Sequence, residues 1–143
     1  MNINLTVYKQ TASPCYHPDA DFYILGNTAR DFPHGILKGE IYWAKLDPAV
    51  GVEQKGTRPV LIISIDSFNI NSGSAIAMAI TSQQPKVEYP LVFKLPEDLL
   101  PKPSWVKITQ IRTLSVKRLG KKLGRLKEAD LQQIMAGFNR VCG

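Results

Sequence analysis

Residues 60–81 read Val-Leu-Ile-Ile-Ser-Ile-Asp-Ser-Phe-Asn-Ile-Asn-Ser-Gly-Ser-Ala-Ile-Ala-Met-Ala-Ile-Thr. Two continuous apolar runs, Val60 to Ile65 and Ser74 to Thr81, flank a polar stretch from Asp66 to Gly73. Both runs are too short for an ordinary helix and rich in residues that favour strands. The polar stretch reads as a turn or one short helix. Working outward, Lys38 to Leu46 sets Ile41, Trp43 and Leu46 among polar positions, a strand pattern. Tyr89 to Leu95 and Trp105 to Ile108 complete a set of five short strands, whose spacing argues for a small barrel. Between those last two, Pro96 to Pro103 contains three prolines, which lack the N–H that a central strand needs, and predicts a loop or a single helical turn. At the C-terminus Leu131, Ile134, Met135, Phe138 and Val141 recur at steps of three and four, one face of an amphipathic helix expected to pack on the sheet. Glu128 and Asp130 suit the positive end of its dipole.

The first of the two apolar runs is preceded by Gly51-Val-Glu-Gln-Lys-Gly-Thr-Arg-Pro59. Glycines at 51 and 56 permit backbone angles denied to other residues, so the segment between them is able to open, close or approach a ligand. Arg58 is fixed by Pro59 and the strand that follows. A guanidinium is planar, always charged and able to grip two phosphate oxygens at once. The loop therefore reads as an anion gripper and the prime candidate for a reactive site.

The 143 residues suit one domain with a core large enough to need no staples. Cys15 and Cys142 lie near opposite ends without metal-ligand spacing and are expected to be free thiols in a reducing compartment. No apolar run approaches the roughly 18 residues of a membrane span, and the polar start has no signal-peptide pattern, so a cytoplasmic protein is expected. The net charge is +6, and between Lys102 and Lys127 nine basic residues occur with no acid. Such a run is either a solvated face or a surface for a polyanion or an acidic peptide; the absence of acids favours the latter.

The order Gly39-Glu-Ile-Tyr-Trp-Ala-Lys-Leu-Asp-Pro48, the loop at 51–59, Val60 to Ser64, Ala79-Ile-Thr-Ser82 and Thr109-Gln-Ile-Arg-Thr113 resembles the MazF/PemK family from about residue 38 to the C-terminus. The resemblance implies a mainly β fold with helices, a small SH3-like antiparallel barrel with a C-terminal helix. It also implies a toxin of a type II toxin–antitoxin module, a ribosome-independent endoribonuclease that cleaves single-stranded mRNA without a metal. In that chemistry the ribose 2′-hydroxyl attacks the adjacent phosphorus. The protein aligns it, moves protons and stabilises the charge that grows on the phosphoryl oxygens. The family further implies a homodimer silenced by a cognate antitoxin, whose acidic disordered segment folds into the groove.

Carried over residue by residue, the resemblance makes Arg58 the charge stabiliser and Thr81 a hydroxyl partner beside it, with Glu53 the best candidate for a base or for orienting the loop. Asp47 and Asp66 look like turn residues. Gln54, Lys55, Ser82 and Gln110 are candidates for RNA contact, as are Lys121 and Lys122 of the basic run. The family often has serine where this chain has Val52, which removes one hydroxyl from the loop. Trp43, Phe68, Tyr89 and Trp105 are candidates for stacking bases, although Trp43 within its strand is expected to be core. The alternatives are a non-enzymatic toxin of the same superfamily that binds DNA gyrase, and an inactive relative that binds RNA or antitoxin.

Residues 1–37 fall outside the resemblance and form an N-terminal extension with little periodicity, read apart from the toxin domain at 38–143. Both histidines, His17 and His34, lie there, so a two-histidine ribonuclease mechanism and a zinc site in the core are not expected.

Overall fold

The computed structural model describes residues 35–47, 51 and 56–143. Six strands form one antiparallel sheet: β1 (Glu40–Lys45), β2 (Thr57–Ile62), β3 (Ser74–Thr81), β4 (Val92–Lys94), β5 (Trp105–Ser115) and β6 (Leu119–Arg125). Their order across the sheet is β4-β5-β3-β2-β1-β6. A short helix, α1 (Asp66–Ser72), joins β2 to β3, and α2 (Glu128–Cys142) ends the chain. This is the mainly β, SH3-like arrangement with a C-terminal helix that the sequence predicts, with the two outer strands β4 and β6 left unpaired to each other.

The continuous apolar runs are the sheet's centre. In β2 and β3 successive side chains enter opposite cores, so both alternations must be apolar. Val60, Ile62, Ala75, Ala77 and Ala79 join Tyr42, Ala44 and Leu114 in one cluster. Leu61, Met78 and Ile80 join Ile41, Val106 and Ile108 in the other, which α2 covers with Leu131 and Ile134. Burying each of those two side chains contributes about 1.5–3 kcal/mol. Val141, the last member of the helical stripe, stays exposed. Gly137 lets the helix sit close: a Cβ there would lie 2.9 Å from Tyr89 Cε2 and 3.0 Å from Ile108 Cδ1.

Three strands and one side chain differ from the sequence expectation. The basic segment 119–125 is a strand, β6, paired with β1 through two irregularities in register. Its two glycines and three cations hide it from any propensity reading, and lysines on an outer strand discourage pairing with another chain. β5 runs seven residues past Ile108 to Ser115. β4 is only Val92–Lys94, because Pro90 interrupts the expected run from Tyr89. Trp43 is 40% exposed rather than core, although it shares an alternation of β1 with the buried Ile41.

Several polar groups inside the fold are hydrogen-bonded to backbone. On α1, Asn69 is fully buried and its Nδ2 donates to Ile36 O at 3.0 Å and Ser64 O at 3.1 Å. Ser64 Oγ donates to Asn69 Oδ1 and accepts from Ile76 N, tying β2, α1 and β3 together. At the start of β1, Glu40 is 3% exposed and its Oε1 accepts from Leu37 N at 2.6 Å and from Tyr42 Oη at 3.1 Å. Its Oε2 is paired with Lys122 Nζ on β6.

Burial, then the charge of Glu40 and the hydrogen bond to it, push the Tyr42 phenol well above its ordinary value near 10. A raised folded value means full stability below about pH 10, where the unfolded tyrosine begins to ionise, and progressive loss above it. We expect Tyr42→Phe to flatten this alkaline limb in denaturant midpoints measured from neutral pH upward. An equally steep limb in the variant would assign it to other groups.

Candidate active site

Arg58 is the second residue of β2, half-buried and opposite Ala44 of β1. β2 and β3 pair in the register Val60↔Ala79, Leu61↔Met78, Ile62↔Ala77. Carried two residues further, that register sets Arg58 across from Thr81 on the neighbouring strand, about 5 Å away in a regular sheet. Thr81 is 6% exposed, and its Oγ1 accepts from Gln83 N at 3.2 Å. That turn uses an acceptor position and leaves the hydroxyl proton to be donated. By that register a guanidinium and a hydroxyl donor share one face at one end of the two central strands.

The neck of the loop that precedes Arg58 is closed by hydrogen bonds. Leu46 N donates to Gly56 O at 2.9 Å, and Gly56 N donates to Asp47 Oδ1 at 3.0 Å. Two arginines of the basic run hold the other side: Arg112 Nη1 donates to Leu46 O, and Arg118 Nη1 donates to Lys45 O at 3.1 Å and Asp47 O at 2.5 Å. Gly51 and Gly56 have φ of 63° and 80°, and a Cβ at either would meet nothing within 4 Å, so conformation rather than space calls for glycine there. Asp47 is therefore more than a turn residue. The sequence signal for Arg118 was only its place among other cations, and Arg112 had besides that only its place in the Thr109 to Thr113 stretch; neither pointed inward.

Replacing Arg118 with alanine is expected to speed amide exchange at Leu46 and Gly56 about fivefold, from loss of about 1 kcal/mol of neck hydrogen bonding. Exchange at the wild-type rate would show that the guanidinium does not hold the neck.

The remaining sequence candidates are dispersed. Glu53, Gln54 and Lys55, together with Val52, lie outside the described residues. Ser82 is exposed directly after β3. Gln110 is half-buried on β5 and lines a small depression with Arg112, Val60, Ala77 and Ala79. Lys121 and Lys122 are exposed on β6, two strands removed from β2 in the sheet, and Lys122 is engaged by Glu40. The Tyr89 ring packs at Gly137, its hydroxyl donates to Gln133 O at 3.0 Å, and Arg140 lies 5.7 Å over its centroid. Among the described residues no group of three His, Cys, Asp or Glu side chains is placed to hold a metal ion. None of the described helices is long and apolar enough to cross a membrane.

Residues 37–142 match the model of a family described as the PemK-like, MazF-like toxin of type II toxin–antitoxin systems. The chain belongs to the PemK/MazF toxin family. MazF from Deinococcus radiodurans has the same fold at 25% identity, with a TM-score of 0.69 over 76% of this chain and 97% of that one. A mycobacterial endoribonuclease in complex with its cognate antitoxin matches at 23% identity and a TM-score of 0.63, covering 76% of this chain and 95% of that one. The Mycobacterium tuberculosis toxin MazF-mt6 matches at 20% identity and a TM-score of 0.58, over 72% and 95% of the two chains. PemK/MazF toxins are known as endoribonucleases.

Proposed function

We propose that this protein is the toxin of a type II toxin–antitoxin module and a metal-independent endoribonuclease acting on single-stranded mRNA. The observation that supports the reading is the β2–β3 register, which carried two residues beyond Val60↔Ala79 sets Arg58 across from Thr81. The substrate supplies its own nucleophile, the ribose 2′-hydroxyl. It attacks the adjacent phosphorus, the bond to the 5′-oxygen of the next nucleotide breaks, and the products are a 2′,3′-cyclic phosphate and a 5′-hydroxyl. Negative charge on the non-bridging oxygens grows as the phosphorus becomes five-coordinate. Arg58 meets that charge with a fixed counter-charge and Thr81 with a hydrogen bond. Glu53 is the proposed base or loop-orienting group, while Gln54, Lys55, Ser82, Gln110, Lys121 and Lys122 are proposed RNA contacts. The proposal extends to a cytoplasmic homodimer with residues 38–143 as the toxin domain, inhibited by a cognate antitoxin.

The test is to incubate the purified protein with long single-stranded RNA in excess EDTA and map the ends. Cleavage with 5′-hydroxyl products is the expected result. Intact RNA with folded protein would overturn the nuclease reading and favour a toxin that acts by binding.

A further inference from the structure

β5 contains an irregularity that changes what stands beside Thr81. Through Met78↔Ile111 the strands β3 and β5 keep one register, but the next recorded pair is Ile80↔Val106, so two steps along β3 correspond to five along β5. In the first register the residue opposite Thr81 would be Ile108; in the observed one it is Trp105. Bulges of this kind re-aim side chains and concentrate next to functional sites. On the far side of β5, Trp105 pairs with Lys94 of β4. One line across four strands therefore runs Arg58, Thr81, Trp105, Lys94, with the indole about 10 Å from the arginine position at ordinary strand spacing.

Trp105 is half-buried and lines an open groove of about 440 Å³, together with Phe93 and Lys94 on β4 and Lys86 on the preceding loop. Among the described residues Glu88 is the one acid on its rim. Lys94 also pairs with Glu97 at 3.6 Å, but both side chains are more than half exposed, and so loose an ion pair is readily exchanged for a phosphate. An aromatic face between cations, whose tryptophan pairs with Thr81 in the sheet, is the arrangement that single-stranded nucleic acid binds: bases stack while the backbone follows the charge.

We infer that this groove is a nucleotide subsite of single-stranded RNA. Trp105 stacks the base next to the phosphate held by Arg58 and Thr81, and Lys94 meets the following phosphate. The assignment rests on the ribonuclease reading for the position of the scissile phosphate, though its readout does not.

The chain has two tryptophans, so in Trp43→Phe protein all tryptophan emission comes from Trp105. That protein is titrated with short 2′-O-methylated single-stranded RNA of mixed sequence, which lacks the attacking hydroxyl, and in parallel with an acidic peptide. Cleavage of ordinary RNA is assayed alongside. Saturable quenching by the RNA is expected. Trp105→Ala, which lacks the reporting indole and is followed by the fluorescence anisotropy of dye-labelled RNA, should weaken binding about 5- to 150-fold, the range for one lost base–aromatic stack. Lys94→Glu, which keeps the indole and tests the site if Trp105→Ala folds poorly, should weaken binding and flatten its salt dependence.

Cleavage without quenching would overturn the subsite and leave the nuclease reading standing. Quenching without cleavage would sustain the groove as an RNA site and remove the nuclease. Quenching by the acidic peptide alone would assign the groove to a protein partner and overturn the proposal.

Discussion

Arg58→Ala is expected to lower the rate of RNA cleavage by about 10²–10³ without unfolding the protein, the loss that follows removal of one preorganised charge stabiliser. The reasoning is geometric. Arg58 belongs to the one stretch of β2 that faces β1 through Ala44 and, by register, β3 through Thr81. Both neighbours are rigid strands, so its Cα is held before any substrate arrives. A preorganised cation needs no reorganisation as charge develops, and this is why its removal should appear in kcat rather than mainly in KM. Arg58→Lys should recover only part of the rate, because an ammonium cannot form the two parallel hydrogen bonds of a guanidinium. The measurement is single-turnover cleavage in EDTA, with circular dichroism as the check on folding. A variant that cleaves at the wild-type rate would remove Arg58 from the mechanism, whatever the fate of the family-level reading.

Glu40→Ala is expected to lower stability by about 2–4 kcal/mol, the cost of leaving two polar groups unsatisfied in the interior. The carboxylate is 3% exposed and accepts from both the Leu37 N–H and the Tyr42 hydroxyl. Lys122, its third partner, is half exposed and would recover solvation on its own. For the same reason Lys122→Ala should cost less than Glu40→Ala, since the two short-range donors would still satisfy the carboxylate. In a chain of this length the loss should appear as a drop in Tm of about 10 °C. An unchanged Tm would mean that water replaces the carboxylate at no cost and that the cluster does not pin β1 to β6.

Both predictions concern residues whose meaning was unequal in the sequence. Arg58 was legible because its surroundings were local: glycines at 51 and 56, then Pro59, then an apolar strand. Thr81 was legible only as the end of a strand, and its value as a partner came from family resemblance. Glu40 and Tyr42 looked like ordinary strand residues. Their joint role depends on Lys122, some eighty positions later, on a strand that composition conceals. Arg112 and Arg118 were misplaced for a related reason. A cation in a run of cations reads as facing solvent or a polyanion, whereas the fold turns these two onto the carbonyls of residues 45–47.

What the sequence by itself determined is the set of central strands and the C-terminal helix. Those features follow from period and punctuation, which are local: Val60 to Ile62 and Ala75 to Ile80 must be apolar on both alternations because both faces are covered. What only the tertiary structure decided is which residues stand beside one another. The register that sets Arg58 across from Thr81, the bulge that puts Trp105 rather than Ile108 beside that threonine, and the closure of the loop neck by distant arginines are pairings between strands. A one-residue slip would turn every side chain to the other face, and no local property of either strand records the register that packing of both cores selects.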